Sequence, residues 1–278
     1  MACPFCYIPY NETAIDFSIC KKVISRCSEV GVSIISFGGG DPFKYEKTRE
    51  LISLSHDYGL EVHIDTNGLG LRKSDYLLIE KYCSLLGLPL DASNSLLHDE
   101  FRGYDGHFDV VIAHLNNLRN HDIRLKVNSV ATKQNYHDMV NMPSLLDSMD
   151  ISIWSLYQFY PQHDARQHES NYSLEGNDFD RIANEILSKP NNFVFEPSTV
   201  DERTGTYLFV SPNGTMYTHH PRKHGEYLFL GDFFSEEALE RCFELCSDTL
   251  RQKIIHRFET LTANPIDSTA ERTVATTQ

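Results

Sequence analysis

Val32-Ser33-Ile34-Ile35-Ser36-Phe37-Gly38-Gly39-Gly40-Asp41-Pro42 is the stretch on which the fold turns. Residues 32–37 are a short apolar run, and three glycines, an aspartate and a proline end it abruptly. An apolar run of strand length closed by breakers reads as a buried strand followed by a loop. A helical pattern precedes it at about residues 14–29, and another follows at about 44–58. The alternation continues: strand 61–65, helix 73–82, strand 84–90, helix 106–119, strand 123–131, helix 137–148, strand 151–158. Five strands separated by helices imply βα units and a parallel sheet, an α/β fold.

The unusual residues collect where strands end: Gly39-Gly40-Asp41-Pro42, Thr66-Asn67-Gly68, Asp91-Ala92-Ser93, Asn128 and Gln158. Parallel α/β sheets and barrels bind ligands at the C-terminal ends of their strands, so these residues are expected to ring one site. Ordinary turns use Asn-Gly and Gly-Gly as well. Beyond about residue 165 the texture changes. Residues 162–176 are polar and read as a loop, 178–188 as a helix. Residues 206–210 and 215–218 flank the hairpin turn Ser211-Pro212-Asn213-Gly214. A strand at 226–230 and a helix from Ser235 to about 258 follow, with Ser235 as N-cap. Residues 266–278 have no period and are expected to be disordered. The expected division is a barrel over 1–165, a cap over 166–260 and a tail over 261–278.

With 41% hydrophobic and 23% charged residues, the composition is that of a soluble globular protein. A formal net charge of −14 argues against a general binder of nucleic acid or anionic membrane. No run is apolar enough to span a membrane and no signal peptide is visible. The seven cysteines are Cys3, Cys6, Cys20, Cys27, Cys83, Cys242 and Cys246. An odd number in a chain this long speaks against a disulfide scaffold and for a reducing, cytoplasmic setting.

Cys3-Pro4-Phe5-Cys6-Tyr7 carries the other chemical signal. Paired thiolates hold iron–sulfur clusters. They also form half a zinc site or a redox-active pair. Cys20 and Cys27 share a face of the first helix and read as buried. Cys242 and Cys246 are one turn apart on the last helix, either an auxiliary cluster or two packing cysteines.

The cysteine pair with its aromatic, followed by the strand and glycine loop, resembles the radical SAM superfamily. That family's signature is Cys-x-x-x-Cys-x-x-Cys, then an aromatic residue, then a Gly-Gly-Glu-Pro loop. Cys3 and Cys6 match its second and third cysteines, Tyr7 its aromatic, and Asp41 stands where Glu is usual. The resemblance implies a partial (βα)6 TIM-like barrel with a C-terminal α+β extension. It implies a 4Fe–4S cluster on Cys3 and Cys6, S-adenosylmethionine (SAM) as cofactor, and an electron donor such as flavodoxin or ferredoxin. Gly39, Gly40 and Asp41 would meet the methionine part of SAM, and Tyr7 its adenine. The signature's first cysteine would fall four residues before Cys3, ahead of Met1, as would the first barrel strand. The expectation is therefore a start upstream of Met1, and weak or no cluster binding by a chain holding two ligands. Iron content after reconstitution, compared with an upstream-extended chain, measures this; full loading of the short chain refutes it.

Within that superfamily the middle of the chain resembles viperin-type enzymes. The resemblance lies in residues 86–93, 98–103, 125–130, 134–139 and 153–159, and more weakly in 207–217. It implies SAM contacts at Ser93, Arg102 and Asn128; without it, Arg102 reads as a surface ion-pair partner and Asn128 as a strand-end cap. Viperins remove the 3′-hydroxyl of CTP in antiviral defense. A lysine that grips the triphosphate in that family corresponds to Asn11 here. A triphosphate needs several cations. The cations that remain are Arg203, Arg222 and Lys223, with His219, His220 and His224 beside them, expected at a substrate lid or in a solvated loop. The alternatives are a peptide or small-metabolite substrate, or a cluster-free binding protein.

Overall fold

A computed structural model of the chain describes residues 3–8, 15–204, 207–223 and 225–245. Asn11, His224, Cys246, the expected helix beyond residue 245 and the expected tail lie outside them. The helices are α1 (Phe17–Glu29), α2 (Thr48–Asp57), α3 (Tyr76–Tyr82), α4 (Ser95–Arg102) and α5 (His107–Leu118). They continue with α6 (Met142–Leu146), α7 (Glu169–Tyr172), α8 (Asp178–Leu187), α9 (Val200–Arg203) and α10 (Glu236–Leu245). The strands are β1 (Ile34–Phe37), β2 (Glu61–Asp65), β3 (Leu85–Pro89), β4 (Leu125–Ala131), β5 (Ile153–Gln158) and β6 (Val194–Ser198). Then come β7 (Leu208–Val210), β8 (Thr215–His219) and β9 (Tyr227–Asp232).

Strands β1 to β6 form one sheet in sequential order, every pair parallel. Strands β7 to β9 form a separate antiparallel sheet. This is an α/β partial barrel with a smaller α+β unit after it. The sheet has six strands among the described residues, one more than the sequence reading counts. The missed strand is β6, in a stretch that the sequence reading leaves unassigned between residues 188 and 206; it is the sheet's last strand, where its Pro197 is tolerated. The parallel sheet therefore runs past residue 165. Residues 162–176 are not all loop either: a 3₁₀ turn over His163–His168 leads into α7. Helix α4 also lies in a stretch that the sequence pattern leaves unassigned, between strand 84–90 and helix 106–119. Asn94 caps it by accepting from the Leu97 amide at 3.1 Å, and Gly103 ends it at φ +63°.

Alternation along the strands sets what faces the helices. Ile64, Leu86, Leu88, Val127 and Leu156 join the main core between sheet and helices. Their neighbours Asp65, Gly87, Lys126, Asn128 and Tyr157 point the other way, into the barrel lumen. A second core joins α1, α10 and the small sheet through Ile24, Cys27, Met216, Leu230, Leu239 and Cys242. No helix among the described residues is long and apolar enough to cross a membrane.

Candidate active site

Residues 3–8 lie across the strand ends. Phe5 anchors them: its ring stacks on Phe101 of α4 at 4.2 Å and 15°, in a small core with Phe159 and Tyr172. The flanking cysteines share one turn, closed by Cys6 N donating to the Cys3 carbonyl at 3.0 Å. Cys6 is exposed. Cys3 is half-buried with Sγ 3.9 Å from the Arg102 carbonyl. Burial pushes the Cys3 thiol up, and the Arg102 guanidinium opposes that shift.

Arg102 is no surface residue. Its Nε donates to Asp91 Oδ2 at 2.6 Å, Asp91 is fully buried, and the guanidinium lies 5.4 Å above the Phe5 ring. Asp91 Oδ1 accepts from the Val130 amide at 2.8 Å. One carboxylate thus joins the loop after β3, the end of α4 and strand β4.

In the glycine loop, Gly39 and Gly40 have φ of +81° and +60°. A side chain at Gly40 would meet nothing within 4 Å among the described residues, which leaves room for a ligand beside its backbone. Asp41 behaves differently. Its Oδ1 accepts from Thr66 Oγ1 at 2.7 Å and the Phe43 amide at 3.2 Å, and its Oδ2 from the Gly70 amide at 2.6 Å. This buried carboxylate ties the loop after β1 to the loop after β2. Its bonds run within the protein.

Three histidines, unread in the sequence, brace the same loops. The Asp91 amide donates to His98 Nδ1 at 3.0 Å, so His98 carries its proton on Nε2. That proton goes to His107 Nδ1 at 2.8 Å, and His107 Nε2–H donates to the Asn67 carbonyl at 2.8 Å. His114, seven residues on and on the same face of α5, donates from Nε2 to the Gly68 carbonyl at 3.0 Å and accepts from Tyr76 Oη at 2.7 Å. These tautomers follow from the fixed backbone partners. Burial lowers the pKa of all three, His98 to about 4.

Ser93 is held by Asp138: its amide donates to Oδ2 at 2.5 Å and its hydroxyl to Oδ1 at 2.8 Å. In the lumen, Asn128 Nδ2 donates to Asp65 Oδ1 at 2.7 Å, Lys126 Nζ to Tyr157 Oη at 3.0 Å, and Ser155 Oγ to Glu196 Oε2 at 2.9 Å. Sequence reading missed Asp65, Lys126, Tyr157 and Glu196. The available signal was the period-two alternation, Glu61, His63 and Asp65 between Val62 and Ile64.

The basic cluster expected near the C-terminus divides. Arg203 is buried, donates to the Thr199 and Gln158 carbonyls, and lies over the Tyr157 and Tyr160 rings at 5.3 and 5.5 Å. His219 is buried among Tyr7, Tyr160, Tyr207, Phe209 and Tyr227. His220 is partly exposed and accepts from the Arg222 amide at 3.1 Å. Arg222 and Lys223 are exposed, and Lys223 pairs with Glu226 at 3.6 Å. Tyr7 connects mouth and small sheet: its carbonyl accepts from Tyr227 Oη at 2.9 Å. Its buried phenol lies near enough to Arg203, Tyr157, Tyr207 and Asp65 to feel their charges, and burial raises its pKa.

An open parallel barrel with polar groups gathered at one mouth is the architecture of an α/β barrel enzyme. Residues 1–146 match the Radical SAM superfamily, more than half of the 278 residues, and the chain belongs to that superfamily. It is a radical SAM enzyme. It is 24% identical over 258 residues to an S-adenosylmethionine-dependent nucleotide dehydratase of Flammeovirga pacifica, covering 88% of this chain and 86% of that one. It is 27% identical over 148 residues to an AdoMet-dependent heme synthase of Oleidesulfovibrio alaskensis, covering 53% of this chain but only 38% of that one. Among solved structures, anSMEcpe with bound AdoMet superposes with a TM-score of 0.69 at 14% identity, over 90% of this chain and 78% of that one.

The superfamily uses a 4Fe–4S cluster and SAM. The described residues fit the cluster in part: Cys3 and Cys6 place two thiols at the mouth, and no group of three or more His, Cys, Asp or Glu side chains among the described residues is placed to hold a metal. Cys20, Cys27, Cys83 and Cys242 lie elsewhere, three of them buried. The open glycine backbone beside the cysteine turn fits an amino-acid ligand such as the methionine end of SAM.

Proposed function

We propose that this radical SAM enzyme acts on a nucleotide, as a viperin-like dehydratase of a nucleoside triphosphate. The observation that carries the reading is the extent of the likeness to the nucleotide dehydratase, 88% of this chain, which takes in the small sheet as well as the barrel. Two buried cations, Lys126 on β4 and Arg203 on α9, support it; both lie over the Tyr157 ring. Buried lumen cations suit a polyanionic substrate better than the exposed Arg222 and Lys223 do.

In this reading the backbone at Gly39 and Gly40 binds the methionine amino group. Ser93, Arg102 and Asn128 line the rest of the SAM site, and Asp41 holds the glycine loop in shape. The Tyr7 backbone faces adenine while Tyr227 steadies it. When bound, the cluster supplies the electron that cleaves SAM to a 5′-deoxyadenosyl radical. The chain's own part is to orient the substrate and exclude water, with Arg203, His219 and Tyr160 closing the mouth. A peptide substrate processed with an auxiliary cluster on Cys242 fits poorly, since Cys242 is packed in the core between α10 and α1.

The test is anaerobic incubation with SAM, a reductant and each ribonucleoside triphosphate in turn. Release of 5′-deoxyadenosine is expected to rise with a nucleotide present. Release equal in all arms rejects the nucleotide reading.

A further inference from the structure

The cysteine turn is held from both sides, which leaves its two thiols little backbone freedom. Cys6 N donates to the Cys3 carbonyl at 3.0 Å and closes a four-residue turn with Pro4 and Phe5 at its centre. A turn of that kind keeps its end Cα atoms within about 7 Å, and a disulfide spans about 4.4–6.8 Å between Cα atoms. Pro4 presets the backbone angle that the turn requires. The Phe5 ring is locked against Phe101. The residue after the turn is clamped as well, where the Tyr7 carbonyl accepts from Tyr227 Oη. Side-chain rotation on this fixed backbone brings the two sulfurs within reach of each other.

The two thiols are unequal. Cys6 is exposed, with Sγ 3.8 Å from the Ile8 carbonyl. Cys3 is half-buried against the Phe5, Phe101 and Tyr172 cluster. A reagent from solvent therefore meets Cys6 first and Cys3 second. Exposed and half-buried thiols three residues apart are the arrangement of an attacking and a resolving cysteine. The other described cysteines do not compete. Cys20, Cys27 and Cys242 pack in or against the core between α1, α10 and the small sheet, and Cys83 packs in the main core.

We infer that Cys3 and Cys6 form a redox-active dithiol, which closes to an intramolecular disulfide when the sulfurs carry no cluster, with a small-molecule disulfide as oxidant. Cys6, as its thiolate, attacks one sulfur of the oxidant. The oxidant's S–S bond breaks, and its other half leaves with the bonding electrons and takes up a proton. Cys3, having given its proton to solvent, then attacks the Cys6 sulfur and expels the second half. Two cysteine thiols are oxidised to one disulfide, the oxidant is reduced to two thiols, and the two protons end on those thiols. A dithiol reductant reverses the sequence. The closed form withholds both sulfurs from a metal and protects them from further oxidation.

The experiment equilibrates the full, cluster-free chain, reduced and desalted without oxygen, with fixed ratios of reduced and oxidised glutathione. The mixture is quenched in acid and cut after glutamate. The peptide that ends at Glu12 contains Cys3 and Cys6 and no other cysteine, so its mass reports the pair alone. A Cys3–Cys6 disulfide is expected as the main oxidised species. Its ratio to dithiol is expected to be at least about tenfold higher in the folded chain than in urea, because the turn pre-organises the pair. In Cys3→Ser, glutathione is expected to remain on Cys6. In Cys6→Ser, Cys3 is expected to take up glutathione at least about tenfold more slowly than Cys6 does in Cys3→Ser. Glutathione retained on both cysteines of the wild type overturns the proposal, as does Cys6 joined to a different cysteine. So does a ratio no higher folded than unfolded, a comparison that needs no variant. Equal uptake by the two serine variants overturns the order of attack. Neither SAM nor a nucleotide is present, so the result stands apart from the nucleotide reading.

Discussion

Lowering the pH from 7 to 5 is expected to remove about 4 kcal/mol of folding stability, chiefly through two histidines. Burial depresses both His98 and His219 from 6.5 to about 4. A group with a depressed folded pKa takes up its proton in the unfolded chain first. For a histidine the resulting stability is present above pH 6.5 and is lost as pH falls from 6.5 toward 4. Each therefore gives up about 2 kcal/mol by pH 5 and about 3.4 kcal/mol in full. His107 and His114 are lowered too and add in the same direction. The chemistry agrees, because a second proton on His98 would face the Asp91 amide donor at 3.0 Å. The perturbed carboxylates Asp16, Asp75, Glu80 and Glu175 are all lowered, so their own losses come at more acid pH. Urea unfolding at pH 7, 6 and 5 measures the slope. Stability that stays level over that range would mean that these rings are not held neutral in the fold.

Much of this was legible from the chain alone, and the rest was hidden for physical reasons. Strands with a continuous apolar run or clear alternation, such as β1, β3 and β4, could be read because their cores demand it. Strand β6 could not, since Val194-Phe195-Glu196-Pro197-Ser198 lies at the sheet edge and is only half-buried. The glycine loop and cysteine pair stood out as short motifs with a chemical reason. Asp65 did not: its meaning depends on Asn128, 63 residues later, and on strand register. The His98–His107 pair was equally silent, because His98 sits on α4, which the sequence pattern leaves unassigned, and the pair's other partners are backbone groups. Arg203 and His219 looked like members of a surface cluster. Local charge density does not reveal that a capping box, Thr199 with Glu202, starts a helix that turns Arg203 inward.

Replacing Arg102 by methionine is expected to cost about 3–5 kcal/mol, because it strands the Asp91 carboxylate in the interior. Asp91 is fully buried, and among the described residues its carboxylate otherwise accepts only from the Val130 amide, while Asn135 donates to its backbone carbonyl. The exposed pair Arg181–Asp178 is the control, and Arg181→Met is expected to cost no more than about 0.5 kcal/mol. Cys3 reports the same event electrostatically. Arg102 holds the thiol down and Asp91 pushes it up. In Arg102→Met, alkylation of Cys3 at pH 8 is expected to slow relative to Cys6, since less of it is thiolate. Adding Asp91→Asn removes the stranded charge while keeping an oxygen for the Val130 amide. Stability should then largely return, and Cys3 reactivity should fall between the single variant and the wild type. That ordering separates charge from packing: a structural collapse around Phe5 would expose Cys3 and speed its reaction in both variants. Faster alkylation, or a loss below about 1 kcal/mol in the single variant, would show that Arg102 does not govern the cysteine turn through its charge.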